Sequence, residues 1–195
     1  GAIRAGAAAW DRRVPAEVSF AVGEEKNLHE NRVYADPNRK LDSTLTVVAF
    51  HDRQGNLLGT LMNWACHPTV MGQENRFLSA DFAGAYCRIM EERFGGTHLF
   101  VNGAIGASVE PVERFLDPDR WDAVERAGKV LADAAVSLLN RPVVLDAPRL
   151  HSLQERPVEI RVENPVFVLA LRLGLIPRDV PELGEKGTTW ITSFS

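Results

Sequence analysis

The chain has 195 residues, 45% of them hydrophobic and 25% charged, with a formal net charge of −4, which is the make-up of one globular domain with a sizeable core. A negative balance with acidic and basic residues interspersed excludes a basic field for gathering nucleic acid. No apolar run approaches the roughly 20 residues that span a bilayer. Two cysteines, Cys66 and Cys87, are too few for a disulfide scaffold and too far apart for a zinc knuckle, so each reads as a small buried residue and leaves the redox compartment open.

In chain order, residues 1–14 read as a short helix on the propensity of Ala and Arg. They lack the continuous apolar core of a signal peptide. Val18–Val22 alternates as a strand, and 24–42 is polar and rich in Asn, Asp and Pro, reading as a long loop. Leu45–Phe50 is a β-branched strand. Asp52–Asn56 is a turn cluster, and Leu57–Trp64 returns as the paired strand of a hairpin. Residues 68–77 are loop. A helix follows to about Phe94, with Ser79 or Asp81 available as N-cap and Gly95-Gly96 as its stop. Thr97–Asn102 reads as a short buried strand feeding a glycine-containing loop, 103–111. Asp119–Leu139 is the clearest helix, with Trp121, Val124, Val130, Leu131, Ala134, Ala135 and Leu138 as its apolar stripe. Residues 143–145 and 150–162 read as strands, and 165–175 as a short apolar helix ended by Gly174 and Pro177. The last residues alternate like a strand still running and the first is not Met, so both ends are expected to continue in a longer polypeptide. The fold class is α/β, a mixed sheet covered by helices and incomplete at both ends. Residues 1–195 form a single domain, part of a larger catalytic domain.

His67 is the foremost candidate for chemistry. It lies just beyond a strand end, where α/β sheets gather ligands, and Pro68 stiffens its loop. Neutral imidazole serves as a zinc ligand or a general base, but equally sits satisfied in buried turns. No HExxH pair or CxxC set accompanies it. Asp81 is read as orienting a histidine, binding a cation through water, or capping the helix. In the run from Asn102 to Ser108, Gly103 and Gly106 allow backbone N–H groups close to a ligand, as in an oxyanion nest, or simply make a tight turn. Ser108 is a nucleophile if a base or metal stands beside it. His29, with Asn31-Arg32, lies in the long loop within reach of a substrate. His51 reads as surface, and His98 and His151 as structural.

Three segments taken together carry a resemblance: Asn63-Trp64-Ala65-Cys66-His67-Pro68-Thr69-Val70, then Leu78-Ser79-Ala80-Asp81-Phe82-Ala83-Gly84, then Phe100-Val101-Asn102-Gly103-Ala104-Ile105-Gly106 with Val109-Glu110-Pro111. In this order and spacing they resemble the N-terminal catalytic domain of the neutral/alkaline non-lysosomal ceramidases and their bacterial relatives. Asn31-Arg32, Asp36-Pro37, the strand at 45–50, and Asn164-Pro165 with its helix fit the same pattern, so the likeness covers nearly the whole chain. The histidine segment is fairly specific to that family, and the glycine loop alone is not.

The resemblance implies a zinc-dependent hydrolase of linear amide C–N bonds that cleaves the N-acyl bond of ceramide, or a related amide or ester hydrolase. It implies His67 as a zinc ligand, with the remaining ligands outside this chain, and the glycine loop beside the scissile bond. Asn63, Asn102, Gly103 and Gly106 are then the substrate-binding candidates, and Ser108 and Glu110 the catalytic ones. The loop departs from the family pattern. Glu110, not serine, precedes Pro111, and one residue is added between Gly106 and Pro111. The implied partners are a small-molecule or lipid substrate and transient contact with a membrane surface, and secretion or a periplasmic place follows from the family alone. Two other readings stay open: a ceramidase-like domain without catalysis that binds a lipid, sugar or protein, and a purely structural subdomain.

Overall fold

A computed structural model describes residues 1–31, 41–105, 109–112, 120–149, 159–161, 164–175 and 190–192. They belong to two compact units, Gly1–Pro148 and Arg149–Ser195.

The first unit is built on a mixed five-stranded sheet, in keeping with the α/β expectation. Its strands are β1 (Glu17–Glu24), β3 (Thr44–His51), β4 (Leu57–Trp64), β5 (Thr97–Asn102) and β7 (Val143–Val144), in the order β5-β4-β3-β1-β7. Only β4 and β5 run parallel, and the other pairings are antiparallel. The parallel pair is joined through helix α2 (Asp81–Phe94), because parallel neighbours need a crossover. Helix α1 (Ala2–Asp11) precedes the sheet and buries no residue.

The β3–β4 hairpin matches its sequence reading. Alternation in β3 buries Leu45, Val47 and Ala49. At the turn, Asp52 Oδ1 accepts the Gln54 N–H at 2.9 Å and the Asn56 N–H at 2.8 Å, an Asx arrangement that closes the loop locally. Gly55, at φ 83°, supplies the left-handed residue. His51, read as surface, is half-buried where a register shift ends the β3–β4 pairing.

Helix α2 and helix α3 (Arg120–Leu139) cover one face of the sheet, and the core between them holds Val47, Met62, Trp64, Phe82, Tyr86, Met90 and Leu131. The opposite face carries a cross-strand row, Leu99–Leu61–Val48–Phe20–Val143, whose end members Leu99 and Val143 are exposed. The expectation of a mixed sheet covered by helices is met. The exposed Leu99 corrects the reading of β5 as a buried strand. Among the described residues it pairs on one side alone, with Leu99 and Val101 exposed on one face and His98 buried on the other.

The apolar stripe of α3 needs correction too. Its buried residues are Ala123, Val124, Ala127, Gly128, Leu131, Ala132 and Ala135, whereas Trp121 and Val130 are exposed. The reason is close packing on α2, since a Cβ at Gly128 would lie 2.5 Å from Ala85 Cβ. Small residues make that approach possible, and a hydropathy pattern gives them little weight.

The region read as a long polar loop contains a strand. β2 (His29–Asn31) pairs antiparallel with β6 (Val109–Pro111), with Glu30 opposite Glu110 and Asn31 opposite Val109. Leu28 and His29 are buried there.

In the second unit, helix α4 (Pro165–Arg172) is capped by Asn164, whose Oδ1 accepts the N–H groups of Val166 at 3.0 Å and Phe167 at 3.2 Å. Gly174, at φ 66°, follows its end. β8 (Glu159–Arg161) pairs antiparallel with β9 (Trp190–Thr192), a strand as the terminal alternation predicts.

Candidate functional site

β4 ends at Trp64, and the segment beyond it is pinned at successive peptides. The Gly103 N–H donates to the Trp64 carbonyl at 3.0 Å, and the His67 N–H donates to the Val109 carbonyl at 3.0 Å. The Thr69 N–H donates back to the His67 carbonyl at 2.9 Å. Main chain is thus fixed on both sides of the imidazole. The ring itself is half-buried, and no described residue hydrogen-bonds it. Both features suit a ligand or base waiting for a partner.

His29, read as a loop residue facing a substrate, lies elsewhere. It is 4% exposed and stacks on Trp64 with ring centroids 5.0 Å apart and planes 7° from parallel. Its Nδ1 is 3.2 Å from the Ala65 carbonyl and its Nε2 is 3.1 Å from Ser43 Oγ. Burial lowers its pKa, against smaller opposing effects of the Ala65 bond, Glu25 and Asp42.

Asp81 is spent locally. Its Oδ2 accepts the Met71 N–H at 2.9 Å and its Oδ1 accepts the Phe82 N–H at 2.8 Å, at a left-handed φ of 55°. Ser79 Oγ accepts the Asp81 N–H at 2.9 Å. The capping position itself is Ala80, so neither anticipated cap occupies it. The two side chains still satisfy main-chain donors at the helix start, and Asp81 ties that start to the loop after His67.

A cavity of about 490 Å³ opens beside this loop, lined by Thr69, Gln73, Ser79, Asp81, Glu110 and Arg120 among others. The lining begins at Pro68, one residue past His67. The size is that of a small-molecule site. Arg120 Nη1 donates to the Val70 carbonyl at 3.3 Å. Glu110 enters from β6, half-buried.

The other candidates divide. Asn102 Oδ1, at the end of β5, is buried and has no hydrogen-bond partner among the described residues. Gly103 brings main chain against Ala65, where a Cβ would lie 3.1 Å from Ala65 Cβ. Its N–H is already given to Trp64, so that donor does not serve an oxyanion. Asn63 lies on the open sheet face, and its Nδ2 donates to the Val101 carbonyl at 3.0 Å. Gly106, Ser108, Arg32, Asp36, Pro37 and His151 lie outside the described residues.

Cys66 matches its reading as a buried thiol. Burial first, then the Asp81 and Glu110 carboxylates, push its pKa up, which removes it as a nucleophile. Cys87 is half-buried and shifted in the same direction. His98 is structural as read, with Nδ1 2.8 Å from Thr60 Oγ1 and Nε2 2.9 Å from the Gly95 carbonyl.

Two solved structures resemble the chain. One is neutral ceramidase from Pseudomonas aeruginosa, with a TM-score of 0.65 and 21% identity over 72% of this chain and 25% of that one. The fold is ceramidase-like. The second is a ceramidase complexed with C2, with a TM-score of 0.62 and 20% identity over 68% of this chain and 23% of that one. The chain therefore spans about a quarter of the length of the structures it matches. No family model matches the sequence, and no curated protein does.

The zinc that the sequence resemblance implies can be set against the described residues. Among the described residues no three His, Cys, Asp or Glu side chains lie together in a way that would hold a metal ion. A catalytic zinc takes three protein ligands. His67 offers one imidazole, and Asp81 is committed to main-chain donors. The described residues do not make a zinc site by themselves.

Proposed function

We propose that this chain is part of a ceramidase-like hydrolase of amide bonds, or of related esters, and that His67 belongs to its reactive centre. The observation that carries the reading is His67 itself. Its peptide is anchored at 3.0 Å to the strand bearing Glu110, its ring is left free by the described residues, and a cavity with both polar and apolar lining starts at the next residue. The ceramidase-like fold supports the reaction class. In this reading His67 supplies one ligand to a zinc ion whose other ligands come from beyond the described residues. Glu110 takes a proton or holds the attacking water at the cavity wall, and Asn102 keeps the substrate-binding role that the family resemblance gives it. Ser108 and Gly106 keep the roles that the family resemblance gives them, and a lipid or other small amide is the substrate.

A second reading, a ceramidase-like domain that binds without catalysis, is favoured by one observation: the Gly103 N–H is spent on Trp64 and cannot stabilise an oxyanion. Zinc content of the longest natural polypeptide containing this chain, beside its His67→Ala variant, separates the two. About one zinc per chain, lost in the variant, together with turnover of an amide or ester, supports the hydrolase. Absence of zinc in the natural protein turns the reading to binding.

A further inference from the structure

We infer that His29 is a positioning residue for His67, fixing the Ala65 peptide so that the imidazole two residues further on is held in one orientation. The inference rests on the proposed role of His67 and adds the group that aims it.

The chemistry of the contacts sets the roles. A carbonyl oxygen can only accept, so the Ala65 contact at 3.2 Å requires the proton on His29 Nδ1. A neutral ring protonated at Nδ1 has Nε2 as an acceptor, so the Ser43 hydroxyl at 3.1 Å is the donor there. The relay therefore runs from Ser43 Oγ–H to His29 and on to the Ala65 carbonyl. Ala65 is buried, so its carbonyl would lose a buried hydrogen bond if the imidazole were removed.

The same ring also fixes the preceding residue. It lies flat on Trp64, whose Nε1–H donates to the Glu25 carbonyl at 3.4 Å. From Trp64 to His67, then, the chain is held by Gly103 at the Trp64 carbonyl, by His29 at the Ala65 carbonyl and by Val109 at the His67 N–H. His29 is the side chain in this set, and it comes from β2, whose neighbour β6 carries Glu110. One imidazole in the core thus links the strand opposite Glu110 to the loop carrying His67. Groups bonded directly to a metal-ligating imidazole typically matter by about 10- to 100-fold in activity, and His29, which acts through the Ala65 peptide, is expected at the lower end of that range.

The test uses the longest natural polypeptide. His29→Phe keeps a ring on Trp64 and removes both hydrogen bonds. His29→Asn places an amide N–H near the former Nδ1 and restores the donor to Ala65. Ser43→Ala removes only the outer donor and covers the case in which His29→Phe fails to fold. The readouts are kcat and KM on a fluorogenic N-acyl amide, and the ¹³C-labelled histidine NMR signal of His67, assigned by its loss in His67→Ala. Expected are a shifted or broadened His67 signal and a kcat lowered about tenfold at nearly constant KM in His29→Phe. Both should recover in large part in His29→Asn, and Ser43→Ala should show the same signal change to a smaller degree. An unmoved His67 signal in folded His29→Phe or in Ser43→Ala overturns the inference, as does a His29→Asn variant no better than Phe. If His67→Ala itself leaves turnover unchanged, the hydrolytic role of His67 fails while the NMR result still decides whether His29 positions it.

Discussion

The main-chain N–H of His67 donates to the carbonyl of Val109 at 3.0 Å, and the next residue along that strand is Glu110. The strand-end imidazole and the β6 carboxylate are thereby carried on segments joined by main chain, so neither can drift without the other. If Glu110 handles a proton in turnover, Glu110→Gln in the complete protein should lower kcat by about 10²- to 10⁴-fold, the usual worth of a general base. Thermal unfolding should change little, because the side chain is half-buried at a cavity wall rather than in the core. Turnover equal to the parent would remove Glu110 from the chemistry.

Asp81 makes a sharper stability prediction. Its two oxygens accept from Met71 and Phe82, holding the loop after His67 to the start of α2. Hydrogen bonds to a charged group contribute about 1.5–3 kcal/mol each, so losing both in Asp81→Ala should cost about 3–6 kcal/mol in denaturant unfolding. Asp81→Asn should cost less, because Asn keeps one acceptor and tolerates a left-handed φ such as the 55° found here. An alanine variant as stable as the parent would show that these bonds hold nothing together.

How much of this was legible in the sequence depended on whether the cause was local. The β3–β4 hairpin was readable because its alternation and its Asp52–Gly55 turn chemistry act within a few residues. His67 stood out because it follows a strand end and precedes proline. The β2–β6 ribbon was not readable. Three residues carry no periodicity, and their partners lie far along the chain, so His29 looked like a loop residue when it is a core one. The contact face of α3 was misread because its seam is alanine and glycine. At the site, residue types pointed to Asp81 and Gly103, but which donors and acceptors they had already spent follows only from three-dimensional neighbours.

Close approach at two glycines gives a third test. A Cβ at Gly59 would lie 2.0 Å from the Thr97 carbonyl oxygen, and one at Gly128 would lie 2.5 Å from Ala85 Cβ. In the first case the obstacle is main chain of the parallel partner strand, and in the second it is the facing helix, so neither can swing aside. Gly59→Ala and Gly128→Ala should each destabilise by about 1–3 kcal/mol, as overpacking does, despite the better intrinsic helix propensity of Ala at position 128. A Gly128→Ala variant with a raised melting temperature would contradict the close helix contact.

The burial of His29 sets a pH dependence. Burial lowers its folded pKa from the ordinary 6.5, so the unfolded ring takes up a proton at a higher pH than the folded one. Between those two values the unfolded state binds more protons, and stability rises with pH. The contribution of the neutral, buried ring is therefore complete above about 6.5 and declines as the pH falls toward the folded value. His29→Asn has no proton to bind there. The difference in melting temperature between parent and variant should thus narrow as the pH is lowered from 7.5 to 5, in parallel scans at fixed ionic strength. A difference that stays constant across that range would mean that the ring is protonated equally in both states, and that burial does not hold it neutral.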